Sequence, residues 1–285
     1  MCGMILGLLA ETFVHPGVGQ SDAAVDLPVA REKPTDYPLV PGSSVKGSLR
    51  QKAFDTYWKE GEHPENVADR LFGEPDKAGA LLISDARLLL LPVRSLTGAY
   101  KWLTCPHLIE RFRRDRQRQG FSSPPEINFT CLAGGVVMAA GSGKLFLEEC
   151  NFVICGGQEE NLETLAGFLG AVIADSGVRG RLKHQLAVVS DDDFAWFARH
   201  ALPVDAHNSL ARDTKKSQAL WYEETLPPDT AMYVVVEERT GIEENHNAKD
   251  PLQEAMDLFA MHGYLRLGGN ETTGQGWFRC CCLHE

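Results

Sequence analysis

The segment VDLPVAREKPTDYPLVPG (residues 25–42) constrains this chain more than any other, because it carries four prolines in one short run. Proline fixes φ and has no backbone N–H, so neither a helix nor a central strand tolerates that density. The segment has to be an extended loop folded over something else. Its flanks are regular. Residues 4–15 are apolar and β-capable, and HPGVGQSD (15–22) then breaks the strand with a proline and two glycines. On the far side, SSVKGSLRQKAFDTYW (43–58) repeats Val45, Leu49, Ala53 and Tyr57 every four residues, which predicts a helix that Ser43 or Ser44 can cap. A serine- and glycine-rich helix start after an extended run is a geometry suited to anions.

The rest of the chain alternates strand-like and helix-like segments. ALLISDARLLLLPV (80–93) predicts a strand whose Leu88–Leu91 run is buried on both faces. Further strands are expected at 144–154 and 185–190, a strand–turn–strand at 219–238, and a strand, glycine-rich loop and last strand at 264–283. Helices are expected at 106–119, 160–175, 191–201 and 250–263, the last closed by Gly263. That pattern is α+β, with an antiparallel sheet and helices packed on one face.

Several function classes fall away. No stretch approaches the ~20 apolar residues of a membrane helix. The opening MCGMILGLLAETF has no basic region and meets Glu11, so it reads as a first buried strand rather than an export signal. Eight scattered cysteines form no C-x-x-C pair, and the contiguous Cys280, Cys281 and Cys282 are poorly placed to ligate one zinc together. Reduced thiols in a cytoplasmic protein are the expectation. AAGSGKL (139–145) lacks the first glycine of a phosphate-binding loop and has Leu145 where a Ser or Thr belongs. The net charge of −11 argues against gripping nucleic acid through bulk charge.

Three segments remain that carry chemistry. His15–Asp26 places Gly17, Gly19, Asp22 and Asp26 in a flexible, solvent-facing stretch. PGSSVKGSLR (41–50) sets Lys46 and Arg50 one turn apart beside Gly47 and Ser48. LGGNETTGQGW (267–277) holds Gly268, Gly269, Gly274 and Gly276. Glycine admits close approach of a ligand to the backbone, and exposed N–H groups beside Lys or Arg bind phosphates.

The run LAETFVHPGVGQSDAAVDLPVAREKPTDYPLVPGSSVKGSLR resembles the start of RAMP-superfamily CRISPR proteins, most of all the repeated backbone subunit of type III-B (Cmr) effector complexes. The resemblance continues in LLISDARLLLLPVRSLTGAYKWLTCP (81–106), LWYEETLPPDTAMY (220–233) and GYLRLGGNETTGQGW (263–277), so it spans the chain in order. The type III-A backbone subunit fits the VDLP loop and the middle block less well. The resemblance implies one domain over residues 1–285: a modified RNA-recognition (ferredoxin-like) palm with helical insertions and a thumb β-hairpin. The thumb is expected at about 206–226, where the tip ARDTKKSQ is too polar for a core.

It also implies partners and a reaction. Copies stack as a filament on guide crRNA beside other Cmr subunits, with no membrane, and complementary single-stranded target RNA is cut at regular intervals. The matching cleaving aspartate is Asp26, which would use Mg²⁺ or Mn²⁺ held only weakly without RNA. The loop histidine is His15. Lys46 contacts guide RNA, and Ser43, Ser44, Gly47, Arg50 and the four terminal glycines join it as RNA-binding candidates. Glu223 and Glu224 match an acidic pair of doubtful catalytic weight. A guide-binding scaffold without cleavage is the alternative.

The chemistry agrees with this reading, because RNA carries its own nucleophile in the 2′-hydroxyl. A nuclease using it needs in-line geometry, a base or metal, and charge stabilisation at the phosphate. Basic residues do cluster locally, in Arg31, Lys33, Lys46, Arg50 and Lys52, in Arg111, Arg113, Arg114, Arg116 and Arg118, and in Arg179, Arg181, Lys183 and His184. The acidic surplus lies elsewhere, notably at Glu237, Glu238, Glu243, Glu244, Asp250, Glu254 and Asp257. A polarised surface with one RNA-facing side satisfies both facts.

Overall fold

The computed structural model describes residues 3–60, 64–122, 126–240, 249–260 and 262–284. The chain opens with β1 (Gly3–Ala10), β2 (Leu39–Val40), α1 (Gly42–Glu60), α2 (Pro64–Phe72), β3 (Leu81–Ile83), β4 (Ala86–Ser95) and β5 (Gly98–Thr104). A middle section follows with α3 (Pro106–Arg118), β6 (Val136–Ala139), β7 (Lys144–Leu147), β8 (Cys150–Ile154), α4 (Glu159–Gly170), α5 (Ser176–Gln185), β9 (Leu186–Val189) and α6 (Asp191–His200). The last section is β10 (Val204–Leu210), β11 (Ser217–Glu224), β12 (Ala231–Glu238), α7 (Pro251–Asp257), β13 (Tyr264–Arg266) and β14 (Trp277–Leu283).

Every residue of β1 is buried, so the strand needs neighbours on both edges and cover on both faces. It pairs antiparallel with β12 on one side and β14 on the other, with Gly7 opposite both Tyr233 and Cys281. β12 in turn pairs antiparallel with β4. The order β14-β1-β12-β4, with α1 between the first two palm strands in sequence and α7 between the last two, is the βαββαβ ferredoxin-like arrangement. Beyond β4 the sheet continues through β5, β9, β6, β8 and β7, and it curls until Ser95 of β4 meets Leu147 of β7. The β5–β9 and β6–β8 pairs are parallel, the others antiparallel. The fold is α+β.

Helices cover both faces, not one as the segment pattern suggests. Met4, Leu6 and Leu8 of β1 and Met232, Val234 and Val236 of β12 pack with Val45, Leu49 and Ala53 of α1, Leu71 of α2, Phe194 of α6 and Leu252 of α7. The alternate residues Ile5, Leu9, Tyr233 and Val235 pack with Phe112 of α3, Leu165 of α4 and Val178 and Leu182 of α5. Strands that are apolar at every position leave no face that water can wet, so each face recruits its own helices. The helix expected over 160–175 ends at Gly170, and a separate helix begins after Asp175, whose side chain accepts the Val178 N–H at 2.9 Å.

The proline-rich run behaves as its composition requires. Ala30 N donates to Pro16 O at 2.7 Å and Leu39 N to Ala30 O at 3.0 Å, and Val40 pairs with Ala86 just before α1 begins. β10 and β11 form a hairpin of their own, separate from the main sheet, over residues 204–224. Among the described residues no helix is long and apolar enough to cross a membrane. Glu243 and Glu244 lie outside the described residues.

Candidate active site and nucleic-acid interface

Past β1 the chain leaves the sheet, and Val14 exchanges both backbone hydrogen bonds with Leu226, just beyond β11. The VDLP loop then returns to the same strand. Leu27 N donates to Tyr222 O at 3.0 Å and Glu224 N to Leu27 O at 3.0 Å, so residue 27 pairs parallel with the base of the hairpin. This fixes Asp26. Its Oδ2 accepts the Tyr222 N–H at 2.8 Å, its own carbonyl accepts Ser21 N–H at 2.8 Å, and the residue is half-buried. Oδ1 has no hydrogen-bond partner among the described residues.

His15 reaches the same three-residue stretch from the neighbouring Val14–Leu226 bridge. Its Nδ1 lies 2.7 Å from Glu224 O, and a carbonyl can only accept, so Nδ1 carries a proton and donates it there. The imidazole is not solvent-facing. The side chain is 10 % exposed, because the terminal glycine loop closes over it. Gly269 N donates to His15 O at 2.9 Å. Gly268 has φ +94°, and a Cβ there would stand 2.7 Å from that same oxygen. Gly17 folds back over Nε2, where a Cβ would lie 2.5 Å away.

Two of the terminal glycines are therefore glycine because of the chain's own backbone. Gly268 meets His15, and at Gly276 (φ +86°) a Cβ would stand 2.4 Å from Leu267 O. Gly269 makes ordinary contacts, and Gly274, with nothing within 4 Å, faces open space.

The acidic pair is occupied with holding this assembly. Glu224, 6 % exposed, accepts Val29 N–H at 3.0 Å through Oε2 and pairs with Arg31 at 2.6 Å through Oε1. Arg31 goes on to donate to Asp36 O and to Ala198 O near the end of α6. Glu223, 3 % exposed, accepts from the Asn270 side chain of the glycine loop and stands 4.0 Å from His15 Nδ1. One glutamate clamps the VDLP loop to the hairpin base, and the other clamps the terminal loop to it.

On α1, Val45, Leu49, Ala53 and Tyr57 turn into the core and leave Ser43, Ser44, Lys46 and Gly47 exposed around the first turn. Gly42 N is held by Asp85 Oδ1 at 2.7 Å, and Pro41 O accepts from Ser44 and Val45. Gly47 has nothing within 4 Å, so a ligand backbone can come close. Arg50 is held by Asp69 of α2 rather than pointing free.

A family model of the RAMP superfamily matches residues 8–279. The chain belongs to the RAMP superfamily. This RAMP chain is 30 % identical over 292 residues to the Cmr endoribonuclease Cmr4 of Pyrococcus furiosus, covering 98 % of this chain and 95 % of the relative. A crystal structure of oligomeric Cmr4 from the same organism superposes with TM-score 0.76 at 27 % identity, over 100 % of this chain and 99 % of that one. A chain of a type III-B Cmr-beta complex bound to cognate target RNA matches at TM-score 0.71 and 18 % identity, over 99 % and 97 %, which shows the fold alone.

One surface of the RAMP palm escapes reasoning from sequence. A cavity of about 750 Å³ separates α1 from β13–β14, with Gly47, Ser48 and Lys52 on one wall and Tyr264, Arg266 and Trp277 on the other. The Arg266 guanidinium stacks 5.4 Å from the Trp277 ring centroid. The aromatic residues flanking the glycine loop were the available signal. The hairpin expected at about 206–226 runs over 204–224 and leaves Val204, Leu210, Leu220 and Tyr222 all exposed, with His207 stacked on Trp221 at 5.5 Å. A two-stranded ribbon with that much exposed apolar surface is built to be covered.

Proposed function

We propose that this RAMP chain is the repeated backbone subunit of a type III-B CRISPR effector, binding guide crRNA along α1 and cutting complementary target RNA at Asp26. The observation that carries the reading is the Asp26 carboxylate, held by the Tyr222 amide at the foot of an exposed hairpin with Oδ1 left free. That oxygen can accept the proton of a 2′-hydroxyl at a nucleotide the hairpin pushes out of line. A-form stacking resists the in-line alignment that attack on the adjacent phosphate requires, so splaying one nucleotide supplies much of the catalysis.

His15 acts as a positioning residue. Buried, with Nδ1 committed to Glu224 O, it ties the first loop to the hairpin base instead of meeting RNA. Lys46, Ser43 and Ser44 hold guide phosphates at the α1 N-terminus, where the helix dipole helps. Among the described residues no group of three His, Cys, Asp or Glu is placed to hold an ion. Mg²⁺ or Mn²⁺ would therefore take one oxygen from Asp26 and its remaining ligands from water and RNA phosphates. When bound it supplies charge neutralisation at the scissile phosphate.

The test is cleavage of a guide-complementary RNA by the guide-loaded complex, with and without 2′-deoxy substitution at the cut site. Products ending in 2′,3′-cyclic phosphate and 5′-hydroxyl, and no cutting of the deoxy target, are expected. Cutting of the deoxy target would make water the nucleophile. Full activity in excess EDTA would remove the metal from the reaction.

A further inference from the structure

The three basic clusters of the sequence have different fates in the fold. In α3 the arginines are largely neutralised from within: Arg111 pairs with Glu32 at 2.5 Å, Arg114 with Glu110 at 2.9 Å and Arg118 with Glu237 at 2.8 Å. Arg116 lies over the rings of Phe121 and Phe168. Around α1, Arg31 and Arg50 are tied to carboxylates. The third cluster is different. Arg179, Arg181 and Lys183 on α5 are exposed, and none forms an ion pair among the described residues. The Arg179 stem packs on Gly170 of α4, whereas Arg181 turns toward Tyr100 of β5.

Arg179 and Lys183, one turn apart on α5, rim a groove of about 400 Å³ between α4 and α5, floored by Ala166, Gly167, Gly170 and Gly180. Gly167 and Gly180 have nothing within 4 Å, so a partner can approach both helices closely. The groove lies away from the candidate active site. Val178 and Leu182 of α5 pack on the sheet face of Ile5 and Leu9, whereas Val45 of α1 and Val29 of the VDLP loop pack on the opposite face.

We propose that this α4–α5 face binds a second stretch of RNA backbone, through its phosphates and without sequence preference. The proposal rests on the reading that the chain handles RNA. A protein partner is disfavoured by composition. Protein interfaces need apolar or aromatic anchors, and none of the exposed large hydrophobic residues lies between 159 and 185. Phosphates need only cations and open backbone. The N-terminus of α5 takes no part, because Asp175 already caps it.

The experiment measures binding of a single-stranded oligouridylate to the full-length protein against salt concentration. Each lost phosphate contact flattens the log-affinity slope by about 0.7, so Arg179→Ala/Lys183→Ala should flatten it by about 1.4, while Arg179→Lys/Lys183→Arg should leave it unchanged. Glu163→Gln, which removes the carboxylate lining the groove, should tighten binding. An unchanged slope in the alanine pair, alongside a flattened one in Lys46→Ala, would overturn this site and leave the RNA reading standing. Unchanged slopes in both would overturn the RNA reading as well. Loss of self-association without a slope change would make the face a contact between copies and overturn the proposal.

Discussion

Glu224 has the sequence context of a catalytic carboxylate and the environment of a structural one. Both its oxygens are engaged, and the Arg31 side chain that Oε1 holds is itself three-quarters or more buried. Removing one partner of such a pair strands the other, which costs about 3–5 kcal/mol when burial is complete and about 3 here, where Arg31 keeps two carbonyl acceptors. Glu224→Ala should therefore lower the unfolding free energy measured by urea denaturation by that order. A loss below ~0.5 kcal/mol would mean the VDLP loop needs no clamp. Gly268→Ala should cost about 1–3 kcal/mol, since it forces a side chain into a left-handed backbone against His15 O; an unchanged melting temperature would contradict that contact. At this scale the sequence disclosed which loops matter but not how their residues divide the work. Asp26 and Lys46 stand in recognisable blocks. The burial of His15 and the clamping by Glu224 depend on partners about two hundred residues away, and no local pattern encodes them.

Among the elements, those with strong periodicity are the ones the sequence reveals: α1 through its four-residue repeat, β4 through its leucine run, the hairpin through its polar tip. α5 is missed because SGVRGRLKHQ contains two glycines and little apolar signal. It is helical because Asp175 caps it and the core takes Val178 and Leu182. The exposed hairpin carries its own prediction. Replacing residues 211–216 with a two-residue turn removes nothing that packs on the palm, so thermal stability should hold while target cleavage slows or loses its spacing. Cutting at unchanged positions and rate would place the wedge elsewhere. On α1, Lys46→Ala should flatten the salt dependence of guide binding by about 0.7–1. An unchanged slope would turn Lys46 away from the guide.

Over the whole molecule, a chain of net charge −11 reconciles itself with a polyanion by pairing its cations where they would be idle and leaving them bare on chosen faces. The cysteine triplet fits the same economy of roles. Along β14, Cys280 and Cys282 turn to one face and Cys281 to the other, where its Sγ lies 3.6 Å from Ala171 O, so the three cannot converge on an ion. Burial raises all three thiols, Cys282 to about 12, and keeps them protonated at neutral pH. What the chain joins at long range is one site: the first loop, the proline-rich segment and the terminal glycine loop all fasten to residues 222–224 at the foot of the hairpin. The claim that this junction exists to aim Asp26 is tested most directly by Asp26→Ala in the guide-loaded complex, with target cleavage and target affinity measured together. A loss of cleavage of at least about 100-fold with affinity nearly unchanged is predicted. Cleavage at the wild-type rate would make Asp26 a turn residue and the subunit a scaffold.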